Sequence, residues 1–290
     1  MSTPPRSTGA PVVEIVAAGN EVLLGDVVDT NSNWLCQRVT ALGGLVRRVV
    51  LVRDEEQAIA DEMRAALTRR PQLVFTVGGL GPTEDDLTLR GVALATGRPL
   101  ALDRKAERLV REKYEQFYRA GHVPTPEMNE SRRKMARLPQ GAAPLPNPVG
   151  GAPGVWLEIG RCAICSLPGV PGELRAIVEE SLPERLGELF GPARYRERSL
   201  VVPGLQDESV IADLLRAVAA AHPAVYVKSR ARRFGEASAL RVTLSARAER
   251  PEQLAALLAP ALAALTDGIR RAGFAVDVEA GDEHDEGGWD

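Results

Sequence analysis

The chain has 290 residues, 44% of them hydrophobic and 26% charged, with a formal net charge of −3. That length holds one large or two modest globular domains, and the slight acidic balance argues against a dedicated nucleic-acid binder, which carries a basic excess. No apolar run reaches the roughly 18 residues that span a bilayer, and the polar start, Met1 to Ala10, lacks the apolar core of a secretory signal; the expectation is a cytoplasmic protein with no membrane partner.

Residues 1–11, with Pro4, Pro5 and Pro11 among Ser and Thr, read as a disordered lead. Val12 to Ala17 reads as a first strand, and a loop from Gly19-Asn20-Glu21 to Asp29-Thr30 follows it. A helix begins at Asn31 or Ser32, both good caps. Trp34, Leu35, Val39 and Leu42 recur at helical spacing, and Gly43-Gly44 ends that helix. Val46 to Val52 is a second strand. Asp54, just past its end, reads equally as the cap of a helix over 55–70 and as an acid facing a ligand. Pro71 breaks the helix, and Leu73 to Val77 is a third strand. Gly78-Gly79-Leu80-Gly81-Pro82-Thr83 and Glu84-Asp85-Asp86 come next, before a helix from Leu87. Short apolar strands alternating with helices predict a parallel sheet covered on both faces. Such sheets bind ligands at the carboxyl ends of their strands. Glu21, Asp54, Asp85 and Asp86 all follow strand ends, so the alternation puts them on one rim.

Residues 103–121 pattern as a charged helix, and 127–137 as a second. Pro139 to Gly154 is rich in Gly and Pro, but the strand-like runs Val155 to Ile159 and Cys162 to Leu167, with Gly160-Arg161 as a hairpin turn, keep this loop inside the domain, where it can line a pocket. Pro168-Gly169-Val170-Pro171-Gly172-Glu173 opens a helix that runs to about Leu189. Phe190-Gly191-Pro192 marks a boundary. Beyond it, residues 195–275 read as β-α-β-β-α, a small α+β domain, with Pro260 a possible kink in the last helix. Residues 276–290 read as a disordered acidic tail.

Cys36, Cys162 and Cys165 are too few and too odd for a disulfide framework. Cys162 and Cys165 have CxxC spacing, but on a strand their side chains point to opposite faces, and no second pair completes a zinc site; buried thiols are expected. His122, His222 and His284 have no metal spacing, so neither a zinc site nor a Ser-His-Asp triad is supported. The basic run Lys228 to Arg233 reads as a solvated turn or a subunit contact.

The glycine-rich turn carries the chemistry. Glycines let a backbone approach a ligand without a Cβ in the way, and their N–H groups with a helix start can form an anion nest. Gly78, Gly79, Gly81 and Thr83 are the expected phosphate donors; the bland alternative is a tight strand–helix turn. Asp85 and Asp86 beside such a nest would repel a bare phosphate unless a cation lay between. Asp86, Asp85 and Asp54 are therefore the candidate metal ligands and catalytic groups, around an ion that would neutralise a diphosphate and acidify a bound water. Glu21 is a further candidate contact, its alternative being a solvated glutamate. Gly150, Gly151 and Gly154 would close the far side of the pocket, Asn147 would reach a base or ribose, and Pro168 and Gly169 would border the site.

Several motifs in this order resemble one family. They are Gly19-Asn20-Glu21-Val22-Leu23-Leu24-Gly25, Asn31, the turn from Gly78 through Thr88, Asn147-Pro148-Val149-Gly150 with Ala152-Pro153-Gly154, and Leu167 through Glu173. Together they resemble the competence/damage-inducible protein A (CinA) family. The resemblance implies an α/β fold over 12–190, a three-layer, mostly parallel sheet of the molybdopterin-binding (MoaB/Mog-like) type. It also implies a KH-type α+β domain over 195–275, and Asn31 as a site residue. The C-terminal nicotinamide mononucleotide deamidase domain of many bacterial members is not expected here. The implied activity is hydrolysis of a nucleotide diphosphate such as ADP-ribose, with a divalent metal (Mg, Mn or Co) and sometimes potassium; the alternative is a non-catalytic molybdopterin- or nucleotide-phosphate-binding protein. A homodimer is the expected assembly. RNA binding is not expected, because residues 195–275 lack the GxxG loop that it needs. Three residues depart from the common pattern: Glu84 where many members carry lysine, Met135 where glutamine is frequent, and Asn20 in the first loop. Glu84 favours the binding-only alternative, since an added carboxylate opposes an anionic substrate.

Overall fold

Two units make up the chain, one of residues 1–40 and 44–191, the other of 41–43 and 192–290. The computed structural model describes residues 10–192, 194–205, 207–232 and 239–279. The expected disordered lead over 1–9 and the acidic tail over 280–290 lie outside the described residues.

The first unit begins with β1 (Val12–Ala18), the one-turn helix α1 (Asn20–Leu23), α2 (Thr30–Ala41), β2 (Leu45–Val52), α3 (Glu56–Thr68), β3 (Leu73–Val77) and α4 (Thr88–Thr96). It continues with β4 (Leu100–Leu102), α5 (Arg104–Arg119), α6 (Glu130–Lys134), β5 (Arg137–Pro139), β6 (Ala143–Leu145), β7 (Gly154–Ile159), β8 (Cys162–Leu167), α7 (Pro171–Ala176) and α8 (Pro183–Phe190). The sheet order is β2-β1-β3-β8-β7-β6. β2, β1, β3 and β8 are parallel, and β7 and β6 add antiparallel strands. This is the expected mostly parallel α/β sheet. β3 is buried at every residue, as a central strand covered on both faces must be. Val16, Val74 and Ile164 share a cluster with Ile59, Met63 and Val92 of α3 and α4, while Ile15, Phe75 and Cys165 pair in register one residue out of phase, on the other face.

Glu14 is a buried charge in this sheet. Its carboxylate, 1% exposed, accepts from Arg69 (Nη2–Oε2 2.6 Å) and Arg47 (Nε–Oε1 2.9 Å). Burial pushes this carboxyl up, but the two guanidiniums outweigh it and hold it below the usual glutamate range.

Local differences from the sequence reading have physical causes. Asp29, not Asn31 or Ser32, caps α2: its Oδ1 accepts from Ser32 N at 2.9 Å. The helix over 127–137 shrinks to α6, because Arg137–Pro139 pairs antiparallel with β4. The Gly/Pro-rich segment contains β6, an edge strand, where Pro144 costs no ladder bond. Gly160 turns the β7–β8 hairpin at φ 62°. Cys162 and Cys165 are buried free thiols on opposite faces. Burial raises Cys162 to about 11 and Cys165 further.

The second unit has β9 (Arg194–Pro203), a 3₁₀ turn over Glu208–Ile211, α9 (Ala212–Ala221), β10 (Val225–Arg232), β11 (Ala239–Ala248), α10 (Pro251–Arg271) and β12 (Asp277–Val278). Its sheet is antiparallel, ordered β10-β11-β9-β12. Leu200, Val242 and Leu244 pack under Leu258 and Leu265 of α10. α10 continues through Pro260, and β12 adds a strand beyond residue 275. Among the described residues no helix is long and apolar enough to cross a membrane.

Candidate functional site

β1 and β3 are neighbours, but the connection leaving β1 runs to β2 on one side while the one leaving β3 runs on to the β8 side, so the two part between their carboxyl ends. Such a switch point opens a crevice in a doubly wound sheet. The Gly-rich turn sits there. Gly78 has φ 92°, its N–H donates to Leu167 O at 3.0 Å, and a Cβ on it would strike Ala18 O. The turn is thus clamped between the ends of β1 and β8. Gly169 comes against it: a Cβ there would lie 3.4 Å from Gly78 Cα. Asn31 Nδ2 donates to Gly169 O at 2.7 Å. Asn31, Gly78 and Pro168-Gly169, far apart in sequence, form one wall.

The donors of the turn differ from those expected. Gly78 N–H is engaged by Leu167, and Thr83 N–H by Asp86 Oδ2 at 2.8 Å. The N–H groups of Gly79, Leu80 and Gly81 meet no acceptor in the described residues. The unbonded N–H groups of the turn are therefore those of 79–81, with Leu80 in place of Gly78 and Thr83. Gly79, at φ 63°, must stay glycine for two reasons: its backbone is left-handed, and a Cβ would come 2.5 Å from Thr88 Oγ1. That hydroxyl, on the first residue of α4, is buried without a partner.

The acids share the rim but play different parts. Asp86 Oδ2 accepts from Thr83 N and from Thr83 Oγ1 (2.5 Å), and it packs where a Gly81 Cβ would be. It shapes the turn and does not cap α4, whose N-cap Leu87 has no side-chain bond. Asp85 is exposed; the nearby Thr83 hydroxyl and its own N–H hold its carboxyl below the usual range. Asp54 does not cap α3, whose N-cap is Glu55. It accepts instead from Asn20 N at 2.8 Å, at the start of α1. Burial raises the Asp54 carboxyl; that bond opposes the rise, and the charges of Glu21, Asp85 and Asp86 add to it. Glu21, exposed in the first turn of α1, folds back against Gly19.

Among the described residues no three His, Cys, Asp or Glu gather as ligands of one ion. The mutually repelling carboxylates are hard oxygen donors. They fit a magnesium-like ion held by one or two side chains and completed by phosphate oxygens and water, not one in a full protein cage.

Across the crevice, Asn147 is fully engaged by its own loop and by Glu173 of α7. Its Nδ2 donates to Ala152 O (2.8 Å) and Glu173 Oε2 (2.7 Å), and its Oδ1 accepts from Gly150 N (2.8 Å) and Val149 N (3.0 Å). It organises the loop and has no amide bond left for a base or ribose. A Cβ on Gly150 would collide with the Glu173 carboxylate, one on Gly151 would lie 3.0 Å from Tyr114, and one on Gly154 3.1 Å from Ile177. Ala152 shares an apolar cluster with Leu80 of the nest turn. Gly150 and Gly151 thus belong to the loop facing the turn, while Gly154 is strand packing.

Two residues that sequence reasoning left without a role stand out. Burial raises the half-buried Glu173 carboxyl, tempered by the Asn147 amide and the Lys113 charge. Lys134 donates to Asp86 O at 2.9 Å, to Gly81 O at 3.4 Å and to Thr83 O. The signal for Glu173 was the Pro-Gly-Val-Pro-Gly-Glu motif. Lys134 gives no local signal, because its partners lie some fifty residues away.

Residues 14–188 match the family model of a probable molybdopterin binding domain. A protein of Aeropyrum pernix is 41% identical over 266 residues, covering 91% of this chain and 96% of its own length. One of Pyrobaculum arsenaticum is 44% identical over 220 residues, 76% of this chain and 80% of its own. The crystal structure of the protein CinA, of unknown function, from Thermoplasma acidophilum is similar at a TM-score of 0.55 and 34% identity, covering 61% of this chain and 98% of that one.

Proposed function

Because the chain belongs to the molybdopterin-binding-domain family and is similar to a CinA protein, we propose that its first unit binds a nucleotide diphosphate or pterin phosphate and hydrolyses a diphosphate link with a divalent ion. One observation carries the reading: the unbonded N–H groups of Gly79, Leu80 and Gly81 lie on the same rim as carboxylates that repel one another. The N–H groups hold a phosphate oxyanion. Asp85, with Asp54 and Glu21, would hold the ion (Mg, Mn or Co), which would supply charge neutralisation for the diphosphate and acidify a bound water. Asp86 keeps the turn in shape. The Asn31–Gly169 wall and the 147–152 loop receive the heterocycle.

The test is AMP release from ADP-ribose, FAD and NAD⁺ with each metal, comparing wild type with Asp85→Asn. A loss on the order of a hundredfold in kcat is expected, as for removal of a charge-stabilising group. No turnover with any metal and nucleotide rejects the hydrolase. The binding-only alternative is favoured by the lack of three gathered acids among the described residues; tight binding by thermal shift without product supports it.

The β-α-β-β-α order and the two helices of the second unit support a KH-type module. Exposed Leu24 and Val28, with the exposed Leu45, Val49 and Leu51 of the edge strand β2, support a homodimer. Both belong to a cytoplasmic enzyme in this proposal, and potassium is not required by it.

A further inference from the structure

Three main-chain carbonyls of the nest turn, Gly81 O, Thr83 O and Asp86 O, converge on one ammonium, Lys134 Nζ. An ammonium has three donors and no acceptor, so each donor has a partner and each carbonyl dipole is neutralised. Converging main-chain carbonyls are also how proteins replace the hydration shell of a potassium ion, whose size an ammonium matches. The side chain is delivered by a rigid mount. Asn129 Oδ1 caps α6 by accepting from Arg132 N at 2.9 Å. The buried Arg132 guanidinium donates to Glu127 O (2.6 Å) and Thr125 O (2.9 Å) and stacks on the Tyr114 ring at 3.9 Å. On the other side of Lys134, Met135 and Ala136 are buried in the cluster that holds Leu80.

We infer that Lys134 is a built-in monovalent cation: a positioning residue that fixes the main chain of the 81–86 turn and fills a carbonyl cage that potassium or ammonium would otherwise take. Without it, three carbonyl oxygens and the acids Glu84, Asp85 and Asp86 would face one another with no cation bonded to the carbonyls, although Arg90 stays near, and the N–H groups of Gly79 to Gly81 would lose their frame. The ammonium also supplies, from another segment, positive charge at a turn where residue 84 is a glutamate; burial lowers its pKa, and the charges of Asp86, Glu84 and Asp85 oppose that fall. The inference holds whether or not the chain hydrolyses a diphosphate.

The experiment compares wild type and Lys134→Met in matched chloride salts of potassium, ammonium, sodium and lithium. Melting temperature and amide hydrogen exchange over residues 79–88 are read in each. Wild type should be indifferent to the cation. The methionine variant should melt lower in lithium. It should also exchange the Thr83, Asp86 and Thr88 N–H groups several-fold faster, because the bonds they make belong to this turn. Potassium or ammonium should restore both, and lithium should not. Should Lys134→Met fail to fold in every salt, Lys134→Gln, which keeps two donors without the charge, is read the same way. Unchanged exchange and melting, or a loss that no cation reverses, overturns the inference and leaves Lys134 a packing residue. None of these readouts involves nucleotide, so their failure is separable from failure of the hydrolase reading.

Discussion

Gly79→Ala tests the nest most directly. At φ 63° an alanine carries the left-handed penalty, about 1–2 kcal/mol. Its Cβ would also lie 2.5 Å from Thr88 Oγ1 and 3.2 Å from Thr88 N. Thr88 is 1% exposed and its N–H is bonded to Gly79 O at 3.2 Å, so it has little room to retreat. That overpacking adds about 1–3 kcal/mol. Together the substitution costs about 2–5 kcal/mol. Thr88→Ala removes a hydroxyl with no partner, and in the double variant only the backbone penalty and a residual contact remain. The double-mutant cycle should therefore show a coupling of about 1–2 kcal/mol in favour of the pair. Urea unfolding followed by tryptophan fluorescence reports it, since Trp34 and Trp156 both lie in the first unit. Strictly additive costs, or a harmless Gly79→Ala, would refute the geometry of the nest. Phosphate-ligand affinity should fall with Gly79→Ala and recover only in part in the double variant.

Arg69→Met leaves the 1%-exposed Glu14 carboxylate with Arg47 alone; because Arg69 is itself 26% exposed, the loss should be about 2 kcal/mol, below the usual figure for a buried pair. Glu14 has a depressed folded pKa, so its contribution is present above the ordinary glutamate pKa and is lost as pH falls through the folded value. The melting-temperature gap to wild type should narrow on acidification below about pH 4, and a constant gap would show that packing, not charge, is involved. Asn147→Ala removes the four bonds that organise the 147–152 loop, which should cost about 1–3 kcal/mol and weaken nucleotide binding in calorimetry; unchanged affinity would take that loop out of the pocket.

Much of the fold was written locally. The apolar runs at 12–18 and 73–77, with helices between, read as central strands of a parallel sheet, because strands covered on both faces lose their polar alternation; 45–52 joins them as a largely exposed edge strand. The same alternation put Glu21, Asp54, Asp85 and Asp86 beyond strand ends, and so on one rim. The glycines at 78, 79 and 81 announced a close backbone approach, and the CxxC pair on a strand announced two separate buried thiols. What the sequence could not settle were choices among competing hydrogen-bond partners. Asp54 had an N–H in its own helix and another at Asn20, and the neighbouring strand end brought Asn20 closer. Asn147 could have met a ligand, but its own loop and Glu173 took every bond it can make. Gly78 and Thr83 looked like phosphate donors until Leu167 and Asp86 took their N–H groups. Lys134 was invisible as a site residue, because a carbonyl cage is made of main-chain atoms that every sequence shares. Periodicity fixes which face and which end of an element a residue occupies; only packing across tens of residues decides which of its polar partners it finally meets.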